Sequence, residues 1–131
     1  LELVFDKVAI KPGKPVWMGR LGERFVMGLP GNPASALITA RLLLAPLLAV
    51  MAGGDAATAL EWYNMPIMSP VAASGAWENF LRAKRNAGGV MILPNQDSAA
   101  QKSIGECDLL VRRRIGAPSA QAGTLVEVVA F

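Results

Sequence analysis

Three clusters of residues carry types and spacings that could do chemistry, and the first two have the character of an oxyanion site. Lys11-Pro12-Gly13-Lys14-Pro15 sets two ammonium groups three residues apart on a turn stiffened by two prolines, so little conformational freedom is lost when both meet an oxyanion. An ordinary solvated hairpin turn has the same composition. In Phe25 to Ala36 a short apolar run breaks at Gly28, Pro30 and Gly31, and Asn32 and Pro33 then open a long aliphatic segment. This reads as strand, tight loop, helix: Asn is a favoured N-cap, and Pro at the first helical position has no N–H to lose. The first-turn N–H groups lack partners within the helix and its dipole favours negative charge, so the loop can hold an oxyanion. Ser35 either presents its hydroxyl there or ties back to backbone. A plain strand-to-helix turn shows the same cues. The third cluster is Arg82, which shares a strand face with Phe80 and Lys84; a solvated basic face is the simpler reading.

Other chemistry is excluded by composition. The chain of 131 residues has no histidine, which removes the usual metal ligand and general base together. Its one cysteine, Cys107, rules out intrachain disulfides, and its neighbours Glu106 and Asp108 would not lower a thiol pKa, so it reads as a strand residue rather than a nucleophile. The carboxylates are scattered without a paired spacing, so no metal site is expected in this chain. A net charge of +3 with 53% hydrophobic and 18% charged residues describes a globular chain and does not by itself call for nucleic acid. Ala34 to Ala52 approaches the length of a membrane span, but Arg41 and Pro46 lie inside it, and a buried or subunit-interface helix is expected instead. The N-terminus lacks the pattern of a signal peptide and starts as if cut from a longer chain, and a reducing cytoplasm fits the cysteine usage.

The elements that must position these clusters follow from periodicity. β-type runs are expected over 3–11, 16–19 and 25–29, sharing one sheet, before a helix from Pro33 to about Ala52 that Pro46 kinks or divides near Ala45. After Gly54 the texture changes to short strands near 61–71, 77–85, 89–94, 106–113 and 124–130, the last two pairing. Their spacing suggests a small β-barrel or sandwich. A polar loop from Gln96 to Ser103 either closes over a ligand or only connects strands, Arg112 to Arg114 alternates outward opposite Leu109 and Val111, and Trp17, Trp62 and Trp77 are expected to pack.

The clusters in this order resemble the C-terminal part of the molybdopterin molybdenumtransferase family, the MoeA and gephyrin E-domain group. The resemblance rests on Lys7-Val8-Ala9-Ile10-Lys11-Pro12-Gly13-Lys14-Pro15, on Gly28-Leu29-Pro30-Gly31-Asn32-Pro33-Ala34-Ser35-Ala36, on Pro46 and Met51-Ala52-Gly53, and less tightly on Phe80-Leu81-Arg82-Ala83, Gln96-Asp97-Ser98, Ser103 and Gly123 to Val128. It implies an α+β chain in which 1–54 end the catalytic α/β domain and 55–131 form a small C-terminal β-barrel domain. It implies insertion of molybdate into adenylylated molybdopterin with release of AMP, aided by Mg2+ whose ligands, like the catalytic acids, lie upstream of this chain. It implies a homodimer acting on small molecules in the cytoplasm, with no nucleic-acid or membrane partner. By motif position Lys11, Lys14, Pro15, Ser35, Arg82 and Ser103 would meet molybdate, with Gly28, Pro30, Gly31 and Asn32 forming the loop backbone. The alternatives are a non-catalytic anion-binding or oligomerisation module, and a nucleic-acid-binding barrel using Arg82, Lys84, Arg85 and Arg112 to Arg114.

Overall fold

A computed structural model describes residues 1–131. The strands are β1 (Glu2–Phe5), β2 (Ile10–Lys11), β3 (Trp17–Leu21), β4 (Arg24–Gly28), β5 (Tyr63–Pro66), β6 (Glu78–Asn86), β7 (Gly89–Ile92), β8 (Leu109–Arg113) and β9 (Leu125–Ala130). The helices are α1 (Pro33–Thr39), α2 (Ala45–Met51), α3 (Ala56–Ala59) and α4 (Gln101–Glu106), with a π-helical stretch Ala40–Leu44 joining α1 to α2. The chain is therefore α+β.

The expected first run divides between two sheets. β1 pairs antiparallel with β3, and β3 with β4, while β2 runs parallel to β6 in register Ile10 to Glu78 and Lys11 to Asn79. Burial explains the division, because Val8 and Ile10 join an apolar core beside β6 that β1 does not reach.

The larger sheet has the order β2-β6-β8-β9-β5, with β7 on the second half of β6. It does not close into the barrel expected from strand spacing. Between β5 and β7 there is one parallel bridge, Ile67 to Val90, with the Met68 N–H donating to the Val90 carbonyl at 3.0 Å. Pro66, which ends β5, has no N–H to extend a ladder across that seam. Gly89 passes so close that a Cβ would lie 2.1 Å from the Pro66 carbonyl oxygen.

Both faces of this sheet are covered. Leu109 and Val111 of β8, Ala83 of β6, and Val126 and Val128 of β9 fill one core, and Phe80, Leu110 and Val129 fill the other against Ile10, Ile38 and Leu42. A strand buried on both faces reads as an unbroken apolar run, as Leu109-Leu110-Val111 does. Helical residues Ile38 and Leu42 thus tie the first 54 residues to the second sheet. Arg41, the charge within the long helix, donates to the carbonyls of Ala130 at 2.9 Å and Ala59 at 2.8 Å. By length and composition the helix Pro33–Met51 is apolar enough to cross a membrane, but its Ile38 and Leu42 are core residues. Pro46 does not break it; the turn is widened just before the proline, where the Ala45 N–H reaches back to the Ala40 carbonyl.

Two further differences concern Arg113 and Cys107. Arg113 shares the face of Leu109 and Val111 and is buried, its guanidinium donating to the Pro118 carbonyl, so the arginine run does not lie wholly on the surface. Two-residue periodicity requires this, since 109, 111 and 113 share parity. Cys107 precedes β8 instead of lying in it, because α4 occupies the segment before it.

Candidate functional site

The Pro12-to-Pro15 turn sits directly on the start of the long helix. Gly13 has φ +112°, and a Cβ there would lie 2.2 Å from Thr39 Cγ2, so only glycine lets the turn press against α1. The Val16 N–H closes the turn on the Gly13 carbonyl at 3.0 Å, and the Val8 N–H reaches the Lys14 carbonyl at 3.2 Å. Thr39 is held in turn by donating to the carbonyls of Ser35, at 2.7 Å, and Ala36. The parallel pairing of β2 with β6 then brings Asn79, Phe80 and Trp77 alongside Lys11.

The result is an open cleft of about 820 Å³, lined on one side by the 10–15 segment and Ser35 and on the other by Trp77, Asn79, Phe80, Leu81 and the Gln96-Asp97-Ser98 loop. Lys11, Lys14 and Pro15, from the first motif, and Ser35, from the second, are therefore brought together. Neither lysine enters an ion pair. Lys14 Nζ instead lies 4.7 Å from the centroid of the Trp77 ring.

Arg82 lies close to the cleft without lining it. The side chain is 0% exposed, and its Nη2 donates to the Asp97 carbonyl at 3.1 Å. Its Nε and Nη1 have no hydrogen-bond partner, and no carboxylate pairs with it. Burial draws the guanidinium below its ordinary pKa, while Cys107 and Asp97 act in the opposite direction. A buried cation without a directly paired carboxylate is costly, and an anion is its natural complement.

Gln96 fixes this arrangement. Its amide accepts from the Arg82 backbone N–H at 2.9 Å and donates to the Arg82 and Leu93 carbonyls at 2.8 and 2.7 Å. The polar loop thereby continues the sheet beyond β7. Its tip is held by Asn32, whose Nδ2 donates to Ser98 Oγ at 3.0 Å. Asn32 is the N-cap residue of α1 by position, yet it makes no side-chain cap bond because its amide is turned to Ser98.

Several expected site residues stand elsewhere. Ser103 is buried on α4, donates to the Ala100 carbonyl at 2.8 Å and does not line the cleft; the loop serine that does is Ser98. Gly28, Pro30, Gly31 and Asn32 are also off its lining. Gly28 serves packing, since a Cβ there would lie 1.9 Å from Trp17 Nε1. Trp77 and Asn79 line the cleft without having been singled out as functional; the signal was position, immediately before and within the strand carrying Arg82. The basic run is largely neutralised: Arg112 pairs with Glu78, and Arg114 with Glu127 at 2.9 Å. No group of three or more His, Cys, Asp or Glu side chains could hold a metal ion.

No family model matches the chain. It is 35% identical over 130 residues to a molybdopterin molybdenumtransferase of Synechococcus elongatus, covering 97% of this chain and 31% of that protein. A molybdopterin molybdenumtransferase of Haemophilus influenzae is 44% identical over 71 residues, 54% of this chain and 16% of that protein. The molybdenum cofactor synthesis protein cinnamon of Drosophila melanogaster is 32% identical over 127 residues, 91% of this chain and 21% of that protein. Among solved structures, a molybdopterin biosynthesis moeA protein of Pyrococcus horikoshii superposes with a TM-score of 0.82 at 27% identity, covering 98% of this chain and 32% of that one. The chain thus spans about a third or less of the length of these relatives.

Proposed function

The chain corresponds to a C-terminal part of the molybdopterin molybdenumtransferase family, and from that premise we propose that its cleft is the oxyanion half of a molybdate-inserting active site. The observation that carries the reading is Arg82: a fully buried guanidinium with two unpartnered nitrogens and no carboxylate ion pair, close to a cleft bordered by two unpaired lysines. Molybdate is a tetrahedral dianion. Lys11 and Lys14 attract it and orient it by charge-assisted hydrogen bonds, Ser35 and Ser98 offer hydroxyls, and Arg82 adds positive charge beneath the cleft. Ser98 takes the place that motif position gave to Ser103. Pro15 and Pro12 limit the freedom of the lysine turn.

The reaction to which this contributes is insertion of molybdate into adenylylated molybdopterin with release of AMP, in a cytoplasmic homodimer without nucleic-acid or membrane partners. Residues 1–54 act as the end of its catalytic domain and 55–131 as its small C-terminal domain. The chain offers no donor set for Mg2+. The acids that complete the reaction belong to the rest of the relatives' length, and the chain alone is expected to release no AMP. A non-catalytic oligomerisation module is the second reading, favoured by the apolar surface of the smaller sheet.

Calorimetric titration of the 131-residue chain with molybdate and tungstate, with sulfate as comparison, tests the assignment. Binding is expected to weaken about ten-fold or more in Lys14→Met. Equal affinity of the wild type and that variant would remove the cleft from consideration.

A further inference from the structure

We propose that Trp77 is a positioning residue of the oxyanion cleft, its indole face fixing the Lys14 ammonium over the cleft without neutralising it. The inference rests on the reading of the cleft as an oxyanion site and adds a residue to which no motif assigned a role there.

Trp77 belongs to neither apolar core, remains 36% exposed and lines the cleft, so core packing does not account for its placement. Lys14 Nζ stands 4.7 Å from its ring centroid and has no ion pair. The chain holds the pair in register from both sides: the Glu78 N–H, next to Trp77, donates to the Ala9 carbonyl at 2.9 Å, and the lysine turn is pinned on α1 through Gly13.

The chemistry of the contact matters. A flexible lysine loses rotamer freedom when it engages a ligand, and a carboxylate partner would restrict it only by cancelling its charge. An aromatic face attracts the ammonium through its quadrupole and leaves the net positive charge available. Part of the ordering cost is then met before the anion arrives. Asp97, which lines the same cleft, makes no ion pair with Lys14, so the indole is the partner that sets its position.

The test is a graded series, Trp77→Tyr, Trp77→Phe and Trp77→Leu, titrated with molybdate while thermal stability is followed. Affinity is expected to fall in the order Trp, Tyr, Phe, Leu, reaching about two- to five-fold weaker binding in the Leu variant. Folding should be little changed, and the aromatic variants should retain part of what Leu loses. A second measurement needs no anion: the indole N–H resonance of Trp77, assigned by its loss in Trp77→Phe, should shift in Lys14→Met. If that resonance does not move, or if all three variants bind like the wild type, Trp77 does not position Lys14. Failure of the wild type itself to bind either oxyanion overturns the reading of the cleft and this role with it, whereas binding with a flat series overturns the role of Trp77 alone.

Discussion

At the scale of single residues, Arg82 and Cys107 show how function and stability pull apart. The Arg82 guanidinium is buried without a carboxylate ion pair, an arrangement that a fold selected only for stability would replace with an apolar side chain of similar volume. Arg82→Met is therefore expected to raise or maintain the urea midpoint while lowering molybdate affinity by about ten-fold or more. A loss of more than about 2 kcal/mol in that variant would instead assign the guanidinium to the framework. Cys107 sits on the same side of the sheet, its Sγ donating to the Leu109 carbonyl at 3.0 Å. Burial pushes its thiol pKa up, against the opposing influence of hydrogen bonds at Ala83 and Leu109 and of the Arg82 charge. The folded state thus keeps its proton where the unfolded chain, with a thiol near about 8.5, has lost it. That contribution is fully present below the unfolded value and is lost as pH rises through the raised folded value. Comparing urea midpoints of the wild type and Cys107→Ala across this alkaline range should show a steeper decline in the wild type, and parallel curves would exclude the thiol as the cause.

At the scale of elements, the lysine turn and the long helix are one device, joined at the contact of Gly13 with Thr39. Gly13→Ala combines a left-handed backbone that L side chains rarely adopt with a clash 2.2 Å from Thr39 Cγ2, and should cost about 1–3 kcal/mol in denaturant unfolding. Adding Thr39→Ser removes the methyl but keeps the hydroxyl, so the double variant should recover the steric part of that loss and none of the backbone part. Much of this was legible beforehand, since Pro-Gly marked the turn and Asn-Pro marked the start of the helix. What the turn presses against was not legible, because a contact between residues 13 and 39 leaves no trace in local periodicity. The same limit explains Ser103 and α4. The polar stretch after Gln96 reads as loop by composition, but Ile104 packs against the second core, and a short helix forms there with Lys102 and Glu106 one turn apart at 3.8 Å. That helix turns Ser103 inward and leaves Ser98 at the cleft. The barrel expectation failed at the seam between β5 and β7, where Pro66 has no N–H to offer, a constraint that counts only once those strands are known to face each other.

At the scale of the whole molecule, the two sheets differ in how they are covered. The larger sheet has a core on each face, whereas neither core includes any residue of β1, β3 or β4. Leu3 and Val4 on β1, Leu21 on β3, and Phe25 and Val26 on β4 are all exposed, as are Leu48, Val50 and Met51 along α2. Both faces of a three-stranded sheet thus meet solvent, which a monomeric domain rarely allows for so many apolar side chains. The relatives are about three times as long or more, so the surface is one that a further part of such a protein or a second copy can cover. In isolation the 131-residue chain should self-associate through it. Sedimentation velocity over a concentration series is expected to show reversible growth of the apparent mass, and Phe25→Lys, a change at a side chain 43% exposed and outside both cores, should suppress it without lowering stability. Amide exchange provides the complementary reading. β1, β3 and β4 should exchange faster than β6, β8 and β9 at low protein concentration, and should slow as association proceeds, because protection follows burial of the strands that carry it. Mass that stays monomeric at every concentration, together with uniform protection of both sheets, would mean that the small sheet is stable with its apolar faces in water.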